Sequence, residues 1–462
     1  MLLRKNSHKE FNQIASSLPQ IVSEDTDAWR IAERLQVISL IRFPLIEIDP
    51  NTVVTEQRER VQALCLKPNP ADKRIISCAA HRFLLILNRS LDTLRPGDLR
   101  HGPGSVAETG DQIKKRDVIW VDPDILRAFE SFLPKRPWRL RRGISKTCVV
   151  PKDHKTMRVI AAEPTWTQWC QQLVKGSLMR NIVSDPYFKG HISFTDQGLQ
   201  RTILRKDRIA SIDLSDASDT LRWKHLLLLT RGDLKVREVL RALRTLQTEY
   251  RGESLPTIGA FPMGAATCFP IETLCFACLL LAYCECETGK LPSTWGVFGD
   301  DILVDDFLAG GFCNFLVRCG FKPNMSKTFI GGNFVESCGV YLYKGVNVTP
   351  TKIKKGAPTS SLDIANITWS EYHDSVVHLP HLRRWMAGRV LDPFFHNTVE
   401  RWNSDLQRLE VKHLRDKVST SVGRESYYEE ALLRGSCDVA CGSHRAGHGW
   451  SSSLTREGGG SR

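Results

Sequence analysis

The stretch Val297-Phe298-Gly299-Asp300-Asp301-Ile302-Leu303-Val304 sets two short apolar runs around a Gly-Asp-Asp turn. Apolar β-formers on both sides favour strands, and Gly299 supplies the backbone freedom of a tight turn. The stretch therefore predicts a hairpin with two carboxylates at its tip. Two unit charges at 4 Å repel by about 4 kcal/mol at an effective dielectric near 20. Adjacent acids are thus comfortable only with a cation beside them, and a hard divalent metal suits oxygen ligands. For the turn taken alone, a solvated acidic tip is the plain alternative.

A second acid sits where a strand ends. The β-like run Ile209-Ala210-Ser211-Ile212 leads into Asp213, and the chain then turns helical through Leu226, Leu227 and Leu228. Ser215 or Ser218 would cap that helix, which makes Asp216 and Asp219 ordinary first-turn acids favoured by the helix dipole. Asp213 precedes the helix. If its strand neighbours the hairpin, Asp213, Asp300 and Asp301 would grip two divalent ions, the clamp that holds attacking and leaving oxygens in phosphoryl transfer.

Charge agrees with a phosphate-bearing partner. The chain carries 64 Lys and Arg against 51 Asp and Glu, a net +13, and such charge dominates affinity for nucleic acid. A basic stretch opens at Lys135-Arg136-Pro137-Trp138-Arg139 and continues through Lys146, Lys152, Lys155 and Arg158. Residues Val149 to Ile160 read as strand, turn, strand, so these cations would project from a hairpin able to hold a triphosphate; an exposed basic face is the alternative. Between the two acid strands, Phe261-Pro262-Met263-Gly264 reads as a loop entering a helix. Its apolar run from Thr273 to Cys284 is far below the ~18 residues of a membrane span and carries Glu272 near its start.

In this order, the parts resemble the motifs of viral RNA-dependent RNA polymerases, and most of all the replicase catalytic beta subunit of levivirus-type single-stranded RNA bacteriophages. The resemblance rests on Ile212-Asp213-Leu214-Ser215 with Ala217-Ser218-Asp219, Met263-Gly264, Phe298-Gly299-Asp300-Asp301, Lys327-Thr328-Phe329, Glu336-Ser337-Cys338-Gly339 and Gly345 to Pro350. Arg100-His101-Gly102-Pro103-Gly104 and Glu163-Pro164 share it. It implies an α+β right-hand polymerase of fingers, palm and thumb, with an antiparallel palm sheet backed by helices. Asp213, Asp300 and Asp301 would be the catalytic metal ligands for two magnesium ions, or manganese in their stead. Lys327 would protonate the leaving pyrophosphate. Lys152, Lys155 and Arg158 would hold the incoming phosphates, Gly264 would line the substrate, and Asp219 and Glu272 would read the ribose 2′-hydroxyl.

The resemblance also implies a domain plan. Residues 1–205 would form fingers, mainly helical, with Ile75, Ile76, Ala79, Ala80, Phe83, Leu84 and Leu87 as core. Residues 206–345 would form a palm with a fingers segment inserted near 230–260, 346–435 a helical thumb marked by Trp369, Tyr372, Trp385 and Met386, and 436–462 a Gly- and Ser-rich tail. Within that tail, Cys437, Cys441, His444 and His448 have a spacing that would enclose zinc, set in a flexible-looking composition. Fourteen scattered cysteines and a start too polar for a leader suggest reduced thiols in cytosol. The implied partners are RNA template and product, ribonucleoside triphosphates and host translation factors as added subunits, with no membrane, in the cytoplasm of a bacterial host. A reverse transcriptase is the rival within the same chemistry, and a non-catalytic RNA-binding protein the rival outside it.

Overall fold

The computed structural model describes residues 49–108, 114–152 and 157–350, positions 28, 31, 32 and 35, and the backbone of two strands between 398 and 413. Two units divide the chain: residues 1–31 with 41–350, and residues 32–40 with 351–462.

In the first unit, two long helices lie well ahead of the basic hairpin. Helix α1 (Pro50–Gln62) is capped by Asp49, whose carboxylate accepts from the N–H groups of Asn51 and Thr52. Helix α2 (Pro70–Asp92) begins with a reciprocal Asn69–Asp72 capping box and buries Ile75, Ile76, Ala79, Ala80, Phe83, Ile86 and Leu87. Three- and four-residue spacing places these on one stripe, with Leu84 only half-buried at its margin. Strands β1 (Ser145–Pro151) and β2 (Met157–Ala162) pair antiparallel, as the strand-turn-strand pattern predicts. Helix α3 (Thr165–Ser184) follows directly.

Strand β3 (Ile209–Ile212) is wholly buried and hands over to the short helix α4 (Ala217–Thr220). The next segment leaves that sheet. It forms β4 (Gln247–Tyr250) and β5 (Glu253–Pro256), which join the basic hairpin in a sheet of order β2-β1-β4-β5. Helix α5 (Cys268–Thr288) then runs through the core, buried at Cys268 and from Pro270 to Cys284, and stops at Gly289, φ +71°, whose N–H closes on Glu285. It is longer than its apolar run suggests, and among the described residues it is the one helix long and apolar enough to cross a membrane. However, 83% of its most apolar window is already buried inside the protein, which marks it as a core helix.

Strands β6 (Trp295–Phe298) and β7 (Asp301–Asp305) form the hairpin predicted around Gly299-Asp300, and β7 is the centre of an antiparallel sheet of order β3-β7-β6. Helix α6 (Asp306–Arg318) follows β7. A third sheet comprises β8 (Phe334–Ser337), β9 (Val340–Tyr343) and β10 (Val346–Asn347). The acid-bearing sheet, α2, α3 and α5 share one apolar core.

In the second unit, β11 (Thr398–Asn403) and β12 (Arg408–His413) pair antiparallel. The stretch 346–435 is expected to be helical, so this hairpin corrects that expectation for the residues it covers. The reason is local: Leu409, Val411 and His413 alternate with Arg408, Glu410 and Lys412, a period of two. Trp369, Tyr372, Trp385, Met386 and the tail group Cys437, Cys441, His444 and His448 lie outside the described residues.

Candidate active site

The register of the central sheet builds the site. Ile212 stands opposite Ile302 on the β3–β7 ladder, and Phe298 opposite Asp301 on the β6–β7 ladder. One step beyond Ile212, Asp213 therefore comes level with Asp301 at the sheet end, and Asp300 occupies the turn beside them. Helix α5 holds that turn in place. The Gly299 N–H donates to Thr273 Oγ1 at 3.0 Å, and the Thr273 hydroxyl donates to the Phe269 carbonyl at 2.8 Å. Gly299 has φ +65°, and a Cβ there would stand 2.6 Å from the Phe269 ring. Phe269 also packs edge-on against Phe298, so only glycine fits before the paired acids.

The segment 322–329 seats a lysine on the free edge of β3. Ser211 and Phe329 exchange backbone hydrogen bonds of 3.0 and 2.8 Å, and the Ser215 N–H donates to the Lys322 carbonyl at 2.9 Å. Asn324 bonds Asp213 twice: its backbone N–H donates to the Asp213 carbonyl at 2.8 Å and its Nδ2 to Oδ2 at 2.9 Å. The same turn carries Lys327, whose N–H donates to the Asn324 carbonyl at 2.9 Å.

Electrostatics mark the focus. Burial, then the neighbouring Asp213, pushes the Asp300 carboxyl above the usual carboxylate range, while Lys152 and Lys327 pull against that shift. Asp301 is pushed up to about 7 by burial, then by Asp300 and Glu336. The N–H and thiol of Cys338, a residue at φ +51° between β8 and β9, donate to Asp301 Oδ2 at 3.2 and 3.3 Å. Glu272, buried near the start of α5, is raised by burial and then by Asp300 and Asp219. Asp219 is raised to about 7 by burial and then by Asp216, against a 2.5 Å bond from Gln57 Nε2 to its Oδ2. The acids therefore act on one another in a run from Asp301 through Asp300 and Glu272 to Asp219, with the charges of Lys152 and Lys327 felt at Asp300.

Gly264 and Arg158, two further expected members, have their described contacts on the basic hairpin. Gly264, φ +111°, packs against β2: a Cβ there would run into the Ala161 carbonyl oxygen, and the Met263 carbonyl accepts from the Ala161 N–H at 2.8 Å. Its visible part is to stitch the loop to the basic hairpin. Arg158 lies opposite Val150 on that hairpin, exposed, and Lys155 lies outside the described residues. Asn324, Cys338 and Gln57 are contacts that sequence reasoning did not assign. Asn324 was open to discovery through its place beside Lys327, whereas nothing in the sequence links Gln57 to Asp219.

Among the described residues no group of three or more His, Cys, Asp or Glu side chains is set close enough to hold a metal ion. Here Asp213 Oδ2 is taken by Asn324 and Asp301 Oδ2 by Cys338. The donor chemistry nevertheless fits a hard divalent cation. Carboxylates from separate strands meet at one sheet end, and Asp300 and Asp301 are held above their usual range, a state that a bound cation reverses.

Comparison with known proteins places these features. The RNA-directed RNA polymerase subunit beta of Enterobacteria phage SP is 34% identical over 216 residues, 46% of this chain and 37% of that protein. The RNA-directed RNA polymerase beta chain of Escherichia phage MS2 is 30% identical over 262 residues, 56% of this chain and 44% of that protein. The chain thus spans under half the length of these relatives. In structure, it is similar to the RNA-dependent RNA polymerase of a human picorbirnavirus, with a TM-score of 0.51, 12% identity and coverage of 86% of this chain and 84% of that one. That likeness is one of fold, the right-hand polymerase, with β3, β7 and β6 as its antiparallel palm sheet and helices behind. The family model for the RNA replicase beta-chain matches residues 118–369, more than half of the sequence, and the chain belongs to that family.

Proposed function

We propose that this chain is an RNA-directed RNA polymerase that adds ribonucleotides to a 3′-hydroxyl on a single-stranded RNA template, replicating an RNA phage genome in the cytoplasm of its bacterial host. The observation that carries the reading is the convergence of Asp213, Asp300 and Asp301 at one end of β3, β7 and β6, where the charges of Lys152 and Lys327 act on Asp300.

Asp213, Asp300 and Asp301 would hold two divalent ions, magnesium or manganese, which supply charge neutralisation for the triphosphate and a lowered pKa for the attacking hydroxyl. The protein's own residues do the positioning. Lys152, with Lys155 and Arg158 from the same hairpin, binds incoming phosphates, and the Gly264 loop holds that hairpin against α5. Lys327 hands a proton to the departing pyrophosphate, and Asn324 keeps it in register with Asp213. Asp219 and Glu272 lie next along the acid run and accept from the ribose hydroxyls. Template, product RNA and ribonucleoside triphosphates are the partners, and host translation factors would join as further subunits.

On this reading residues 1–205 serve as fingers and 206–345 as palm with its 230–260 insertion. Residues 346–435 serve as thumb, including the β11–β12 hairpin, and 436–462 as tail. A reverse transcriptase is disfavoured because such enzymes usually place a bulky apolar residue before the paired acids, where Phe269 here leaves room only for Gly299.

The test is Asp300→Asn, which removes charge and hardly any volume. RNA synthesis from labelled ribonucleotides with magnesium and template should fall by roughly three orders of magnitude, while circular dichroism and RNA retention stay near wild type. Comparable synthesis by the two proteins would overturn the assignment, and no synthesis by wild type would favour a non-catalytic RNA-binding protein.

A further inference from the structure

Helix α1 lies outside the stretch matched by the family model, yet it grips the segment that follows Asp213. Gln57 Nε2 donates to Asp219 Oδ2 at 2.5 Å, Arg60 Nε pairs with Asp216 at 3.3 Å, and the Arg222 guanidinium donates to the Val61 carbonyl. On its other side, α1 is tied to the inserted sheet by Arg58, which donates to the Pro256 carbonyl at 2.8 Å, and by Asn51, which accepts from the Tyr250 hydroxyl at 3.0 Å. The Asp219 backbone is fixed as well: a Cβ on Gly259 would stand 2.7 Å from the Ser218 carbonyl oxygen, and the Ala260 N–H donates to Leu221 at 2.7 Å. Gln57, Arg58, Ala161, Asp219 and Gly259 all line one partly open cavity, so the Asp219 carboxylate borders open space as well as its Gln57 partner.

We propose that Gln57 is a positioning residue for sugar selection: by holding one oxygen of the Asp219 carboxylate, it aims the other at a ribose hydroxyl and so widens the preference for ribonucleotides over deoxyribonucleotides. The inference rests on the polymerase reading above. A site built to bond a hydroxyl discriminates strongly against the analogue that lacks it, because its own polar group is then left unpaired. Such discrimination depends on an acceptor with one fixed orientation. The Gln57 bond also opposes the burial that raises the Asp219 carboxyl, and so favours its acceptor form.

The experiment measures kcat/KM for matched ribo- and deoxyribonucleoside triphosphates, using the full chain on a defined RNA template. In Gln57→Leu, the ratio of ribo to deoxyribo should fall about tenfold, with the ribonucleotide kcat within threefold of wild type. Gln57→Met removes the donor while keeping most of the volume, so it should lower the ratio as far, and it decides the matter should the leucine variant not fold. If a folded variant keeps the ratio within threefold, or loses both activities in parallel, Gln57 is merely structural and the inference falls alone. If wild type incorporates neither sugar, the polymerase reading falls and takes this one with it.

Discussion

Burial decides the protonation of Glu163, the acid that closes β2 and belongs to no expected site. It is fully buried and pushed up to about 7 by that burial, against hydrogen bonds from Thr245 and Gln171 and the charge of Arg244. Because the folded protein keeps this proton up to about pH 7 and the unfolded chain loses it near 4.5, folding binds a proton across that window. Its contribution is therefore full below pH 4.5 and declines as pH rises to 7. Asp219 and Asp301 act in the same direction, so only the difference between variants isolates Glu163. Glu163→Gln should show a flatter decline of the urea midpoint between pH 5 and pH 8 than wild type; parallel declines would mean that Glu163 is ionised inside the fold. At this scale the sequence was informative where chemistry is local. Asp213 and the Asp300-Asp301 pair could be picked out because each sits where a run of β-formers stops. The Asn324 and Cys338 bonds could not, since a polar side chain declares no partner until the backbone fixes where it points.

Elements were legible where one period dominates. The Gly-Asp-Asp hairpin and the basic β1–β2 pair have the expected strands, whereas β11 and β12 fall within a stretch read as helical from the apolar pattern between Trp369 and Met386. Glycine positions show how elements are joined. Gly264, expected to line the substrate, is also the point where the loop before α5 meets β2. Gly264→Ala would place a methyl in the Ala161 carbonyl at φ +111°, adding backbone strain to overpacking, and should cost about 3 kcal/mol. Chemical denaturation would measure it, and a loss below about 0.5 kcal/mol would mean that the loop lifts away from β2 without penalty. The same substitution should depress synthesis beyond its effect on folding, because the β1–β2 hairpin carries Lys152.

Across the first unit, the amino-terminal helices are structural members of the palm's surroundings as much as a domain of their own. Asp72 caps α2 and also forms a two-point pair with Arg318 at the end of α6, both contacts at 2.8 Å, with Asp72 almost wholly buried. Asp72→Ala removes the carboxylate half of the capping box and the partner of a guanidinium that solvent partly reaches, and should destabilise the protein by about 2 kcal/mol. Arg318→Ala in the same background should then add little, and full additivity in the double-mutant cycle would show that the two side chains do not work as a pair. By itself the sequence determined the acid-tipped hairpin, the strand before Asp213 and the basic strand pair, where acids and cations punctuate them, and the resemblance that these motifs carry in order, because periodicity and turn chemistry act over a few residues. Only the tertiary structure decided that Asp213 stands level with Asp301, that Asn324 and Lys327 flank them, and that Gln57 reaches Asp219 from a distant helix. An apolar pattern specifies which face of an element is buried, but the partner across that buried face depends on the packing of the whole chain.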